Sequence, residues 1–282
     1  MFANISFIFF FSLFLIVIIG YGSIAKLAFE KLAEHNQQGY VKVVGVLVQG
    51  FEVNETRTAL DDSIAVVTAV EDLISLSPNI IIECAGQGAV AEYGEAILKA
   101  GIDFMVISTG ALANDELRDR LTAICEQSGA KQLIPSGAVA GIDGMGSHNI
   151  GGLKKVRYTA TKPPLAWKGT PADENFNLSK ISERTVLFTG PARDVAQLYP
   201  KNANLAATVA LAGLGMDQTE VELVADPEGA PHNVGRIYAE GEFGKLTIEC
   251  RNIPSPENPK TSATTALSIV YALLKDTHTL VI

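Results

Sequence analysis

Three small residues near the N-terminus have the spacing of a phosphate-binding turn. Gly20, Gly22 and Ala25 form a Gly-x-Gly-x-x-Ala pattern in the segment GYGSIA. In such a turn the first glycine permits a tight bend, the second lets the backbone approach a pyrophosphate, and the small third residue allows close helix-to-strand packing. Phosphate charge then faces the positive end of the helix dipole. The pattern predicts dinucleotide contacts from the turn and the helix start: Gly20, Gly22, Ser23 and Ile24.

This turn needs a strand before it, and the preceding uncharged run from Ile5 to Ile19 allows more than one interpretation. The run also suits the apolar region of a signal peptide or a short membrane segment. However, no Lys or Arg precedes it, no Ala-x-Ala-like cleavage site follows it, and a span of roughly 20 residues would include the glycine turn. We therefore interpret residues 15–19 as a buried parallel strand. Residues 1–14 are expected to be an apolar extension from an early start codon, and membrane association through residues 2–15 stays open.

Strands and helices then alternate up to residue 138. Strands are predicted at residues 41–48, 65–69, 79–86, 103–110 and 131–138, and helices at 23–34, 70–77, 90–101 and 114–129. This alternation predicts an α/β fold with a Rossmann-type doubly wound parallel sheet, so residues 15–138 should form a dinucleotide-binding domain. Ligands of this fold bind beyond the carboxyl ends of the strands. That position adds Ala85, Gly86 and Thr109 to the predicted cofactor contacts.

The choice between NAD and NADP is not determined by the sequence. An acidic residue is expected at the end of the second strand, where it would bind the ribose hydroxyls. That strand instead ends at Val48-Gln49-Gly50, with Glu52 slightly further on. Either cofactor is therefore compatible with the chain.

The pattern changes after the first domain. Predicted strands at residues 151–167, 184–190 and 219–226 and a hairpin at 235–252 alternate polar and apolar residues, which is typical of an antiparallel sheet with one wet face. Residues 139–261 are predicted to form a second, α+β domain for substrate binding and oligomerisation. The helical segment 262–276 should pack back on the first domain, as part of residues 262–282.

Composition excludes several classes of function. The formal net charge of -9 argues against a nucleic-acid partner, because phosphate-backbone contacts require basic surfaces. The three cysteines, Cys84, Cys125 and Cys250, are odd in number and widely separated, so neither a disulfide framework nor a metal site is expected. Unpaired thiols favour a reducing compartment and predict a cytoplasmic protein.

Several longer segments resemble the L-aspartate dehydrogenase family, which shares its general plan with homoserine dehydrogenase and dihydrodipicolinate reductase. The matching segments are GYGSIA, IIECAGQGAV, VISTGAL, IPSGAVAGID, VRYTATKPPLAWKGTP, YPKNANLAATVALAGLGMD, VADPE and NPKTSATTAL. The resemblance implies that NAD or NADP oxidises L-aspartate to iminoaspartate, which hydrolyses to oxaloacetate and ammonia or feeds NAD biosynthesis. It also implies a homo-oligomer, expected as a homodimer, and places Ala138 and Asn204 on cofactor-contacting positions.

One departure from the family concerns its catalytic histidine, which follows ADPE in an Asn-x-His pattern. The corresponding sequence in this chain is ADPEGAPHNVGRI. If Asn233 is aligned with the asparagine of the family pattern, Gly235 stands at the position of the histidine. His232 lies three residues earlier, in a loop that could bring its imidazole to the same place as a general base. The alternative is a solvated loop histidine in a non-catalytic, NAD(P)-binding homologue. A dehydrogenase for another small amino or keto dicarboxylate also stays open, because fold does not determine substrate.

A dicarboxylate substrate needs positioned cations in so acidic a protein. Four lysines lie in segments that match the family: Lys162, Lys168, Lys201 and Lys260. Lysine is mostly a surface residue, so each could also be solvated. Lys201 is favoured because it adjoins the polar pair Asn202 and Asn204. The predicted catalytic residues are therefore His232 and Lys201.

Overall fold

A computed structural model describes residues 13–229, 231–254 and 262–275. The expected apolar extension therefore lies outside the described residues, except for its last two positions, and so do residues 276–282 of the C-terminal segment. The side chain of Lys201 is likewise not among the groups that the structure describes. Within these ranges, no helix combines the length and the apolar character that crossing a bilayer would require.

The first domain contains a six-stranded parallel sheet with the order β3-β2-β1-β4-β5-β6. Its strands are β1 (Phe14–Ile19), β2 (Val41–Leu47), β3 (Ala65–Val67), β4 (Ile80–Glu83), β5 (Asp103–Val106) and β6 (Gln132–Leu133). The helices between them are α1 (Ser23–His35), α2 (Val53–Ala59), α3 (Val70–Ser75), α4 (Gln87–Lys99) and α5 (Asp115–Ser128). The predicted Rossmann-type doubly wound sheet is confirmed, since hydrophobic clusters lie on both of its faces.

The second domain contains a five-stranded sheet with the order β11-β10-β7-β9-β8. Its strands are β7 (Leu153–Lys162), β8 (Thr185–Pro191), β9 (Thr219–Ala225), β10 (Asn233–Gly241) and β11 (Gly244–Asn252). The prediction of an antiparallel sheet was wrong for one pair, because β7 and β9 run parallel. The connection between them contains β8 and three helices, the first of which is α7 (Pro171–Asn175). A crossover of this length is what a parallel pairing requires.

Three helices cover one face of this second sheet. The α+β prediction implied helices there but gave no residue ranges for them. They are α6 (Ile142–Ile150), α8 (Ala192–Leu198) and α9 (Asn204–Ala212). Helix α9 is so uniformly apolar, with the sequence NLAATVALA, that it shows little helical periodicity. A helix that is buried on most sides lacks the amphipathic pattern that reveals a surface helix.

The last described helix, α10 (Ala263–Leu274), returns to the first domain and packs beside α1. Ile269 is 1% exposed in a cluster with Ile16 and Ile18 of β1. Leu267, two residues earlier and on the other side of the helix, is 45% exposed. The C-terminal helix is therefore part of the core of the first domain.

Replacing Ile269 with alanine should lower the free energy of unfolding by about 2–5 kcal/mol, because it leaves a cavity between α10 and the sheet. The exposed Leu267→Ala is the matched control and should change stability by less than about 1 kcal/mol. Urea denaturation followed by circular dichroism measures both. Equal losses in the two variants would contradict this packing of α10.

Candidate functional site

The glycine turn follows β1 and opens α1 as the spacing predicts. Gly20 has φ of +86°, and a Cβ atom there would lie 3.0 Å from the Cα of Ala85. Only glycine combines this φ with such close backbone approach. Gly22 has an ordinary φ of -80°, and a Cβ atom there would have no neighbour within 4 Å. Gly20 therefore shapes the turn, whereas Gly22 borders open space.

A second glycine begins α4 beside the first turn. Gly86 is the N-cap of α4 with φ of +128°, and a Cβ atom there would also meet nothing within 4 Å. No side chain caps the N-terminus of either α1 or α4. Strands β1 and β4 are neighbours at the point where the strand order reverses, which is where this fold binds dinucleotides. The open space, the uncapped N–H groups and the reversal point together fit a pyrophosphate.

Glu83, the last residue of β4, holds the loops on either side of this space. Its carboxylate is fully buried and accepts hydrogen bonds from the N–H groups of Ala85 (2.8 Å), Gly86 (2.6 Å) and Ser108 (2.9 Å) and from the Ser108 hydroxyl (3.0 Å). Burial raises the pKa of the Glu83 carboxyl above its ordinary value, while these N–H donors oppose that rise. One acidic side chain thus orders the loops after β4 and β5.

A hydrogen bond between Gln49 and Glu52 forms just after the end of β2. Glu52 accepts a hydrogen bond from the backbone N–H of Gln49 at 3.1 Å, and its carboxylate therefore stays near the end of this strand. This carboxylate is hydrogen-bonded to Gln49, and the residues after β2 do not distinguish NAD from NADP.

Asn204, at the start of α9, joins the two domains. Its backbone carbonyl accepts a hydrogen bond from the Thr109 hydroxyl at 2.6 Å, and its side-chain oxygen accepts one from the Gly110 N–H at 3.2 Å. The Thr109 and Thr208 hydroxyls lie 3.0 Å apart. Nearby, the Gln87 amide donates to the Pro200 carbonyl at 3.1 Å. These contacts place the start of α9 against the cofactor-binding edge of the first sheet.

A cavity of about 130 Å³ lies between the domains at this junction. It extends from Ile24 of α1 to the second sheet. Three of the predicted cofactor contacts line it, namely Ile24, Ala138 and Asn204, and its second-domain wall includes Tyr158, Lys162, Asn202 and Gly235.

Hydrogen bonds from Asn252 and to Ser268 fix the segment that contains Gly137 and Ala138. The Asn252 amide donates to the Ala138 carbonyl at 2.8 Å, and the Asn252 oxygen accepts from the Thr264 hydroxyl at 2.8 Å. The Gly137 N–H donates to the Ser268 hydroxyl at 3.1 Å. Because Thr264 and Ser268 belong to α10, the C-terminal helix also positions the cavity wall.

Lys162, the last residue of β7, brings a positive charge to this cavity. Its ammonium group donates to the Asn202 side-chain oxygen at 2.6 Å and lies 5.3 Å from the centre of the Trp167 ring. Trp167 is fully buried, and its indole N–H donates to the Val224 carbonyl at 3.1 Å. A cation fixed by an amide and an aromatic face is suited to binding a carboxylate.

The structure separates the other predicted polar residues from this wall. His232 is half-buried in the loop before β10, where its backbone N–H donates to the Gly229 carbonyl at 2.9 Å, and it does not line the cavity. Lys168 is exposed and also outside the lining. Lys260 and the side chain of Lys201 lie outside the description. His232 and Lys201 therefore stay predictions.

Gly235, which the sequence predicts to stand at the position of the family histidine, does line the cavity. It pairs with Ala160 of β7 and Cys250 of β11 in the sheet. Among the described residues, no cluster of three or more His, Cys, Asp or Glu side chains could hold a metal ion.

Tyr158 and Thr208 are among the lining residues that the sequence analysis missed. Tyr158 lies in the segment VRYTATKPPLAWKGTP, and its alternation with Ala160 and Lys162 was the available signal, because residues two apart on a strand share a face. Thr208 follows Asn204 by one helical turn and carried no comparable signal.

Comparisons with known proteins agree with this arrangement. Residues 20–135 match the NAD-binding domain model of homoserine dehydrogenase, and residues 143–276 match the C-terminal domain model of aspartate dehydrogenase. The chain is 44% identical to an L-aspartate dehydrogenase of Cupriavidus necator over 80% of this chain and 84% of that protein. It is 41% identical to one from Serratia proteamaculans over 91% and 95%.

Solved structures show the same fold. The crystal structure of aspartate dehydrogenase from Thermotoga maritima superposes with a TM-score of 0.71 at 25% identity, covering 95% of this chain and 99% of that one. A hyperthermophilic archaeal homoserine dehydrogenase in complex with NADPH superposes with a TM-score of 0.60 at 14% identity, covering 93% and 97%.

Replacing Gly22 or Gly20 with alanine should distinguish an effect on dinucleotide affinity from an effect on stability. Gly22→Ala places a methyl group in open space, so the free energy of unfolding should fall by less than about 1 kcal/mol, whereas dinucleotide affinity should fall at least about tenfold. Gly20→Ala forces an unfavourable φ and a backbone contact, and should cost about 1–3 kcal/mol of stability. NADH fluorescence titration and thermal unfolding measure the two effects. Unchanged affinity in Gly22→Ala would exclude the turn as the pyrophosphate site.

Proposed function

The chain belongs to the aspartate dehydrogenase family, and we propose that it is an NAD(P)-dependent L-aspartate dehydrogenase that oxidises L-aspartate to iminoaspartate. Hydrolysis of iminoaspartate yields oxaloacetate and ammonia, and the unhydrolysed imine can feed NAD biosynthesis. The observation that carries the proposal is the cavity between the domains, which joins the start of α1 to Lys162 on the second sheet.

The reaction requires little covalent chemistry from the protein. When bound, the nicotinamide cofactor accepts the hydride that leaves the substrate Cα. The chain must place that carbon, hold two carboxylates and move a proton, so orientation provides much of the rate enhancement. The predicted cofactor contacts are Gly20, Gly22, Ser23, Ile24, Ala85, Gly86, Thr109, Ala138 and Asn204.

Lys162 is the described cation placed to bind a substrate carboxylate. The Asn202 hydrogen bond and the Trp167 ring restrict its ammonium group on the cavity wall. Asn202 and Thr208 provide further polar groups on the same lining. The predicted Lys201 precedes Asn202 in the chain and is the candidate for the second carboxylate.

Gly235 favours a second candidate function, a non-catalytic homologue that binds NAD(P) but lacks the family histidine. Glycine offers no acid or base on the cavity wall at that position. The two functions differ in turnover and not in cofactor binding, so measuring both separates them.

The purified full chain should oxidise NADH or NADPH when oxaloacetate and ammonium are supplied, and should prefer oxaloacetate to 2-oxoglutarate. Lys162→Met should raise KM for oxaloacetate by about 10- to 100-fold, which corresponds to losing one hydrogen bond to a charged group. Cofactor affinity should stay unchanged.

Lys180→Met is the control for Lys162→Met, because Lys180 is exposed and does not line the cavity. Tight cofactor binding without turnover in the wild type would favour the non-catalytic homologue. A preference for 2-oxoglutarate would instead indicate another dicarboxylate substrate.

The expected homo-oligomer, a homodimer, is also part of this proposal, and we assign its interface to the outer face of the second sheet. This face carries paired charges of both signs, including Arg157 with Glu220 (2.6 Å) and Arg251 with Glu249 (2.8 Å). The helices of the second domain cover the opposite face. A two-fold interface needs a self-complementary surface, and a mixed-charge face can provide one.

Arg236→Glu should convert this dimer to monomers, since it places a second carboxylate beside Glu249 on the outer face. Light scattering after size-exclusion chromatography should give twice the 30.0 kDa chain mass for the wild type and a single chain mass for the variant. Lys131→Glu makes the same charge change on the exposed surface of the first domain and should remain dimeric. A monomeric wild type would exclude the interface.

A cytoplasmic location completes the proposal. The three cysteines are free thiols in the structure, which supports a reducing compartment.

A further inference from the structure

The cavity wall at Gly235 is shaped by a neighbouring tyrosine. A Cβ atom on Gly235 would lie 3.3 Å from the Tyr158 hydroxyl oxygen and 3.2 Å from Cγ1 of Val139. Both distances are shorter than most Cβ contacts in proteins, so a side chain at position 235 would have to displace its neighbours. The Tyr158 hydroxyl therefore occupies space beside the position at which a histidine side chain would begin.

The Tyr158 hydroxyl has a free hydrogen-bonding capacity in this cavity. The residue is 2% exposed and lines the cavity, and its oxygen makes no hydrogen bond within the described part of the chain. Buried hydroxyl groups are nearly always hydrogen-bonded. A hydroxyl on the wall of a substrate cavity is thus available to a polar atom of the substrate.

Tyr158 and Lys162 lie on the same face of β7. The residues alternate along the strand, so Tyr158, Ala160 and Lys162 all face the cavity side. About 13 Å of strand separates the first from the last, and both side chains are long. A small dicarboxylate bound at Lys162 by one end can therefore direct its other polar groups toward Tyr158.

We propose that the Tyr158 hydroxyl exchanges the substrate proton in place of the family histidine. This inference rests on the proposed dehydrogenase function. In the reductive direction, hydride from the reduced cofactor forms the new Cα–H bond as the C=N π bond breaks. The electron pair of that bond takes the proton of the Tyr158 hydroxyl to form N–H, and the resulting tyrosinate recovers a proton from water.

The environment of Tyr158 keeps its hydroxyl protonated. Burial raises the pKa of the Tyr158 hydroxyl above its ordinary value, so the group carries its proton at neutral pH. His232, which does not line the cavity, has no comparable position.

Tyr158→Phe in the full chain tests the assignment. It should lower kcat for oxaloacetate and ammonium reduction by at least about 100-fold, the lower range for loss of general acid–base catalysis. NADPH affinity, measured by fluorescence titration, should not change. Tyr238→Phe is the matched control, because Tyr238 bonds to Glu240 on the outer face of the same sheet, and it should keep wild-type kcat.

Two further measurements test the assignment, and the first needs only the wild type, so it applies even if Tyr158→Phe folds poorly. Wild-type kcat should be lower in D2O than in H2O when hydride transfer is rate-limiting, since the proton moves in the same step. The double variant Tyr158→Phe with Gly235→His should recover activity relative to Tyr158→Phe, because imidazole replaces the lost donor.

The outcomes distinguish the two proposals. NADPH binding without wild-type turnover would overturn the dehydrogenase function and this inference with it. Turnover that survives in Tyr158→Phe would overturn only the role of Tyr158. A large loss of kcat in His232→Ala with none in Tyr158→Phe would assign the proton to His232 instead.

Discussion

The site depends on the hydrogen bonds that Asn204 makes across the domain junction. Its carbonyl and its side-chain amide each bind the loop after β5, through Thr109 and Gly110. Together with the hydrogen bond from Gln87 to Pro200, this double contact holds the start of α9 against the cofactor-binding edge. A displacement of about 1 Å between reacting groups can cost a large fraction of the rate, so rigidity at this junction is a functional requirement.

Inside the first domain, the buried carboxylate of Glu83 fixes the loops that border the cofactor-binding edge. Glu83 is costly to bury, and the cost is offset because its oxygens receive four hydrogen bonds from Ala85, Gly86 and Ser108. The loops after β4 and β5 therefore adopt one arrangement. Since the second of these loops continues to Thr109, Glu83 and Asn204 together connect the cofactor turn to the start of α9.

Gly235 lines this cavity at the position where the sequence predicts the family histidine. The remaining polar groups on its second-domain wall come mainly from β7 and from the start of α9. Lys162 supplies charge, and the Tyr158 hydroxyl is next to the position that the glycine leaves without a side chain. A reaction whose main demand is orientation and one proton transfer can be served by such a set.

The sequence by itself determined the sheet of the first domain, the glycine turn and the family, because apolar periodicity, turn chemistry and long motifs are local properties of the chain. It also indicated Ala138 and Asn204, which the structure brings to one cavity with Ile24. It did not reveal α9, whose burial removes the amphipathic pattern, or the parallel pairing of β7 with β9. Only the tertiary structure placed Tyr158 against Gly235 and moved His232 away from the cavity, because the sheet register brings together residues that are far apart in sequence.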